Sequence, residues 1–245
     1  MRDLIRAELL KLRTTRMFWG NVIAVLAFVP FGVALAIRGG EEPLDSADGI
    51  SRVMGSASSG AILLLVIGIL MTAGEFRHGT ATSTFLISPD RRRVIGAKLT
   101  AAALVGVVVA LASVALTLVV ALPWLAAEDV ATSSYTSEAV AALLGSVGAT
   151  VLGAVVGVGF GTMVRNQTAA ITIALVWTQV VEGILVGFVP DVGKWLPGGA
   201  ASALAGVSTP NGGLLPTGAA AVLLTVYGLA FAAAGASMLA RRDIA

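Results

Sequence analysis

Long apolar stretches alternate with short polar intervals along the chain, and this alternation predicts its architecture. Six stretches reach or approach the roughly 20 residues that a helix needs to cross the hydrocarbon core of a bilayer. We expect spans at about residues 17–37, 51–74, 99–122, 138–164, 168–189 and 216–239, with the second beginning between residues 51 and 60. The pattern predicts an all-α integral membrane protein, with one transmembrane domain over residues 1–245.

Composition supports a membrane protein and limits the kinds of functional site that it can contain. The chain is 57% hydrophobic and 12% charged, with a mean hydropathy of +0.92, whereas soluble domains carry about 25% charged residues. The absence of cysteine excludes disulfides and thiolate sites, and a single histidine argues against a histidine-built metal centre. We therefore expect no catalytic residues, no metal site and no nucleic-acid partner.

Residues 1–16 predict an amphipathic helix at the membrane surface. Ile5, Leu9 and Leu12 fall on one side of this helix. Basic residues on the adjoining side are Arg2, Arg6 and Arg13. Helices of this kind lie in the membrane interface. The alternative is a solvated basic tail that only orients the first span. We expect that span to be retained, because no convincing signal-peptide cleavage site accompanies it.

The distribution of basic residues predicts the orientation. Of 16 Lys and Arg residues, only Arg38, Arg52 and Lys194 fall in intervals on one side of the six spans, which leaves 13 on the other side with both termini. Short loops rich in Lys and Arg stay in the cytoplasm. Both termini are therefore predicted to be cytoplasmic, and most acidic residues between the spans to face outside.

The polar interval 75–98 is predicted to be a folded cytoplasmic loop. We expect Gly79 and Thr80 to end the second-span helix and to cap a short helix over about residues 80–87. Phe85 and Leu86 give this short helix an apolar tip, which is typical of a docking element. Ser88 is then expected to cap the third-span helix, with Pro89 at its first position.

Charged residues border the short helix. Glu75 ends the second span beside Arg77, and two interpretations of it stay open: a solvated interfacial carboxylate, or a group with a specific inter-subunit role. The run of arginines at 91–93 could bind anionic lipid headgroups or simply anchor the topology. Membrane lipid is thus an expected partner.

Residues 190–216 form a predicted external segment between the fifth and sixth spans. This segment contains Trp195, an Ala-rich stretch and several Pro and Gly residues. It is too apolar for a wholly solvated loop and too broken to span the membrane. We expect short re-entrant helices, because irregular backbone at that depth is tolerated when it is buried in protein.

Two features within the spans are candidates for packing or function. Small residues recur at every fourth position of the fourth span, at Gly145, Ala149, Gly153, Gly157 and Gly161. This spacing permits close helix contact, with intrachain packing favoured over a subunit interface. Glu182 is a charge well inside a span, with Gln179 one turn earlier. Intramembrane carboxylates are functional candidates, although a structural hydrogen bond to another helix or to the external segment is at least as well supported.

The loop motif carries a family resemblance. Its residues are Glu75-Phe76-Arg77, Gly79-Thr80, Leu86, Ser88-Pro89, Arg91-Arg92 and Lys98. With the basic N-terminal helix and six spans, this motif resembles bacterial ABC transporter permeases of the type-2 exporter family. The resemblance implies that residues 1–16 are an interfacial helix, that residues 79–87 are a coupling helix docking on an ATPase, and that residues 190–216 are re-entrant.

The resemblance also implies an assembly and a function. Two permease subunits, identical or different, would join two ATPase subunits in the bacterial inner membrane, and ATP and Mg²⁺ would bind the ATPases and not this chain. The complex would export a drug, antibiotic, peptide or lipid by alternating access. The alternative is a secondary transporter with Glu182 as an ion or proton site. An intramembrane enzyme is the least supported reading.

Overall fold

The protein folds into a bundle of helices. The computed structural model describes residues 1–40, 42–77, 90–164, 166–207 and 215–240, and no strand occurs in these ranges. The α-helices are α1 (Arg2–Thr14), α2 (Arg16–Arg38), α3 (Ala47–Gly55), α4 (Ala61–Arg77), α5 (Arg91–Ala127), α6 (Thr136–Met163), α7 (Gln167–Phe188), α8 (Pro190–Gly193), α9 (Pro197–Leu204) and α10 (Thr217–Ala240).

Six helical segments in the described ranges are long and apolar enough to cross a membrane. They are α2, α3 with α4, α5, α6, α7 and α10, which we call spans 1 to 6. The prediction of an all-α membrane protein with six spans is confirmed. Large apolar side chains such as Ile23, Phe31, Val108 and Phe188 are exposed on spans 1, 3 and 5, as lipid-facing or partner-facing surfaces require.

Span 2 is interrupted by a tight turn between α3 and α4. Residues Ser56–Ser58 form a 3₁₀ turn. The hydroxyl groups of Ser56 and Ser58 donate to the carbonyl oxygens of Val53 and Gly55, at 2.6 and 2.8 Å. Serine bonds of this kind compete with the regular helix ladder and bend helices. They account for the division of this span into two helices.

The bounds of span 3 differ from two expectations. Its N-cap is Asp90, whose side chain accepts hydrogen bonds from the backbone N–H groups of Arg92 and Arg93 at 3.1 and 3.3 Å. The expectation that Ser88 caps this helix was therefore wrong, because an Asp directly before the first helical residue can serve the same orphan donors. The helix also extends beyond the expected residues 99–122 at both ends, from Arg91 to Ala127.

Span 4 occupies the centre of the bundle and packs against spans 2, 3 and 6. Its small residues allow this approach. A side chain at Gly157 would overlap the carbonyl oxygen of Leu65, and one at Gly145 would overlap that of Leu204 in α9. Gly68 of span 2 approaches the backbone of span 4 at Ala154 in the same way. The stripe of small residues thus lies within the chain, against span 2 and α9.

The short helices α8 and α9 follow span 5 and pack back onto the bundle. Helix α9 contacts spans 4 and 6. The Tyr227 hydroxyl of span 6 donates to the carbonyl of Trp195 at 3.1 Å, just before α9. Residues 190–204 therefore form two packed helices, and their insertion into the outer leaflet stays a prediction.

Candidate functional site

A cluster of four charged side chains joins α1 to spans 2 and 3. Lys98 lies at its centre and is 3% exposed. Its ammonium nitrogen lies 2.8 Å from Glu8 Oε2 and 2.8 Å from Glu75 Oε1. Lys98 also donates to the carbonyl oxygen of Met71, at 3.0 Å. A buried ammonium is stable only when its donors are satisfied in this way.

Lys11 closes the cluster on the solvent side. Its Nζ lies 2.7 Å from Glu8 Oε1 and 2.7 Å from Glu75 Oε1. Each glutamate thus contacts both lysines, and the two positive charges balance the two negative ones. Burial lowers the pKa of Lys11, but the hydrogen bonds that its ammonium donates to Glu75 and Glu8, together with their negative charges, outweigh burial, so the pKa is raised above the ordinary value.

The N-terminal helix brings two of these residues to the bundle. Ile5, Leu9 and Leu12 pack against the apolar core between spans 2 and 3. Glu8 lies three residues after Ile5 and four before Leu12, so it shares their helix face. The sequence pattern did not single out Glu8 or Lys11 as site residues. A carboxylate within the apolar face of an amphipathic helix was the available signal, because such a group needs a partner once the face is covered.

The cluster also joins the two ends of the polar loop. Glu75 stands at the end of span 2 and Lys98 near the start of span 3, on either side of residues 78–89. The Glu75 side chain is only 12% exposed, so the interpretation as a solvated carboxylate was wrong. Its inter-subunit role stays a prediction. Arg77 is exposed at the end of α4.

The remaining loop candidates lie outside the described residues. They are Gly79, Thr80, Phe85, Leu86, Ser88 and Pro89. Their role in docking therefore stays a prediction. In the described part of the chain, the ion pair between Glu75 and Lys98 anchors the two ends of this loop.

A second candidate site surrounds Glu182, at the opposite end of the bundle. A cavity of about 410 Å³ lies between spans 2, 4, 5 and 6 and α9. Glu182 and Gln179 both line it, and the small residues Ala149 and Gly153 form part of its wall. Glu182 is 2% exposed. The structure thus brings together two sequence candidates and part of the small-residue stripe.

Glu182 is held by α9 through one oxygen only. Its Oε2 accepts a hydrogen bond from the backbone N–H of Gly198. A side chain at Gly198 would overlap this oxygen, so glycine is needed for the contact. The other oxygen, Oε1, is buried and has no hydrogen-bond partner within the described ranges. The expected bond to the external segment is present, yet half of the carboxylate stays available.

A π-helical turn precedes Glu182. It covers Trp177–Val181 and interrupts the α-helical ladder of span 5. Turns of this type are frequent at functional sites. A smaller apolar cavity of about 180 Å³ adjoins this turn, lined by Trp177, Phe160 and Phe231 and again by Glu182. The turn could not be predicted from the sequence, since its residues are of types common in membrane spans.

Neither site is arranged for metal binding. Within the residues that the structure describes, no group of three or more His, Asp or Glu side chains could hold a metal ion. The four-residue cluster pairs each carboxylate with lysine, which leaves no free ligand set.

Comparison with protein families identifies a transporter family. The family described as ABC-2 family transporter protein matches residues 4–181, which include most of α1, the loop, spans 1 to 4 and most of span 5. No curated protein matches the chain. Because the match covers well over half of the sequence, the chain belongs to the ABC-2 family of transporter membrane proteins.

Proposed function

We propose that this chain is the permease subunit of an ATP-driven exporter. The observation that carries the proposal is the family match over residues 4–181. The sequence has no G-x-x-x-x-G-K-[ST] phosphate-binding loop: Gly193-Lys194 and Ala97-Lys98 lack the surrounding residues of that motif. ATP and Mg²⁺ then bind a separate ATPase subunit, and this chain converts its motion into transport.

Residues 79–87 form the coupling helix in this proposal. The charge cluster supports it, because Lys98 pairs with Glu75 across the loop and with Glu8 of α1. A force applied to the loop is therefore delivered to both spans and to α1 together. Buried, fully paired charges hold such a junction in one geometry, since each broken pair leaves a buried charge with less compensation.

Transport proceeds by alternating access between two permease subunits. ATP draws the ATPase subunits together and biases a bistable packing of the spans. Spans 1 and 5 expose large apolar side chains, including Phe28, Phe31, Val180 and Ile184. These surfaces are suited to a second permease subunit and an apolar translocation path. The cargo is accordingly an amphipathic or hydrophobic molecule.

The protein resides in the bacterial inner membrane with α1 and the loop in the cytoplasm. Positive charge at these segments supports this orientation. The external segment then includes α8 and α9, and the Glu182 cavity opens in the outer half of the bilayer. Helices α8 and α9 are re-entrant in this arrangement.

Purification from the native membrane tests the assembly. The tagged chain should co-elute with an ATPase subunit and, after reconstitution in vesicles, support ATP-dependent movement of an amphipathic dye. A tagged six-span membrane protein of another family is the control. Recovery of the chain without an ATPase, under detergent conditions that keep membrane complexes intact, would contradict the proposal.

A further inference from the structure

We propose that the Glu182 cavity binds the protonated amine of an amphipathic ligand. The inference starts from Oε1 of Glu182, which is buried and has no hydrogen-bond partner in the described part of the chain. Burying a carboxylate oxygen without a donor is costly. The Gly198 N–H satisfies only Oε2. Oε1 therefore has acceptor capacity left for a ligand.

The size of the cavity argues for more than a water molecule. Its volume of about 410 Å³ lies in the range of roughly 300–1,000 Å³ that is typical of small-molecule sites. A water molecule occupies about 30 Å³ in the liquid. The space beside Glu182 thus admits an organic ligand with several heavy atoms.

The polar groups around the cavity favour a ligand that donates hydrogen bonds. The hydroxyls of Ser58 and Thr178 donate to the carbonyls of Gly55 and Ala174, both at 2.8 Å. The Ser59 hydroxyl donates to Ser56 in the same manner. With their hydrogens committed to the backbone, these three oxygens can only accept. Together with Oε1 they form a set of acceptors, beside which Gln179 and Ser202 line the cavity with side chains that can both donate and accept.

The ionisable residues of the cavity lining favour a cationic ligand. Among the described residues that line the cavity, Glu182 is the one with an ionisable side chain, and none is Lys or Arg. An anionic ligand would meet a carboxylate without compensation. A protonated amine can donate to Oε1 and to a hydroxyl oxygen while its charge balances that of Glu182.

The adjoining apolar cavity accommodates the rest of the ligand. It shares Glu182 with the larger cavity and is lined by the aromatic side chains of Phe160, Trp177 and Phe231. Aromatic faces also attract cations. An amine joined to an apolar or aromatic body therefore fits the pair of cavities. This inference deepens the proposed function, since it gives the cargo a chemical class.

Direct binding to the purified full chain tests the site without ATP or an ATPase. The probe is n-octylamine, titrated calorimetrically into the protein in phosphatidylcholine nanodiscs, with empty discs subtracted. The neutral n-octanol and the anionic octanoate have the same apolar body. We expect the amine to bind at least about tenfold more tightly than either, because only the amine pairs with the carboxylate.

Substitutions assign the binding to Glu182. Glu182→Gln keeps an acceptor for Gly198 and should fold, yet it should weaken amine binding about tenfold or more and leave octanol binding unchanged. Gly198→Ala displaces the carboxylate and should also weaken amine binding. Gly187→Ala is its control, because a methyl group there meets nothing within 4 Å.

The outcomes separate this inference from the proposed function. Equal binding of amine and alcohol, or unchanged amine binding in folded Glu182→Gln, would overturn the inference while ATPase recruitment could persist. Conversely, amine binding by a chain that recruits no ATPase would overturn only the exporter proposal. Competition by phosphatidylethanolamine added to the discs would identify a lipid headgroup as the source of the amine, and lack of competition a free amphipath.

Discussion

Lys98 and Glu8 lie 90 positions apart in the chain, and the ammonium of Lys98 donates to the carboxylate of Glu8 at 2.8 Å. Both side chains are more than nine-tenths buried. Charges at this depth are not replaceable one at a time, because removal of either leaves the four-residue cluster with an unbalanced buried charge. The pair thus couples the position of α1 to that of span 3.

We expect Lys98→Met to destabilise the protein by about 3–5 kcal/mol, because it leaves two carboxylates without their buried cation. Thermal unfolding in detergent measures the change. The control is Lys194→Met, which breaks the pair of Lys194 with the exposed Asp191 and should leave the unfolding temperature close to that of the wild type, because exposed pairs contribute little.

The double variant Lys98→Met with Glu8→Met sharpens this test. Replacing both charges by apolar side chains should recover part of the lost stability, since buried pairs and apolar replacements are often similar in stability. Lys11 still pairs with Glu75 in this variant. A double variant less stable than either single variant would show that the pair is not an independent unit.

A second prediction concerns the contact between spans 2 and 4. Gly157→Ala forces a methyl group against the backbone of Leu65, and overpacking against an unyielding neighbour costs roughly 1–3 kcal/mol. Gly153→Ala is the matched control in the same stripe, because its new methyl would lie 3.5 Å from the carbonyl of Ala61, an ordinary contact. Unfolding temperatures should fall for residue 157 and stay close to wild type for residue 153.

The orientation is testable with single cysteines, since the natural chain has none. Cysteines at Asp45, Asp129 and Asp191 should react with an impermeant maleimide added outside intact cells. A cysteine at His78 should react only after the membrane is opened. Labelling at residue 45 solely from the cytoplasmic side would refute the proposed topology.

The docking role of the loop predicts an effect on ATPase affinity. Burying one large apolar side chain in a partner contributes on the order of 1.5–3 kcal/mol. Phe85→Ala with Leu86→Ala should therefore weaken ATPase binding by roughly 3 kcal/mol, or about a hundredfold. Pull-down from detergent measures the loss, with Thr82→Ala as a control in the same loop. Undiminished recovery would remove the loop from the docking interface.

Hydrophobic length predicted the six-span architecture well, because a bilayer imposes a minimum span length on every crossing helix. The contacts of Glu8 could not be predicted from the hydrophobic pattern. Pairing with Lys98 depends on how α1 rotates and settles against spans 2 and 3, and many residues separate the partners in the chain. Local signals also misplaced the cap of span 3, since Ser88 and Asp90 are both good capping residues.

For Glu182, too, the local sequence predicted one part of the site and the tertiary structure determines the rest. Its position inside a span identified it as a candidate, but Gly198 as its partner follows from the return of α9 to the bundle. The π turn at Trp177–Val181 has no compositional signature. Sequence therefore located the charge, and the fold defined which of its oxygens is engaged.

That turn has an evolutionary consequence. In a regular α-helix each residue advances the direction of side chains by about 100°, and a π turn holds one residue more than an α turn. Deletion of a single codon within residues 177–181 would restore a regular helix of nearly the same length and hydropathy. Glu182 would keep its direction relative to Trp177, because the hydrogen bond from its backbone N–H to the Trp177 carbonyl would change only from the π to the α pattern. One in-frame deletion would thus shorten the turn that borders the cavity while the direction of Glu182 and the insertion in the membrane are preserved.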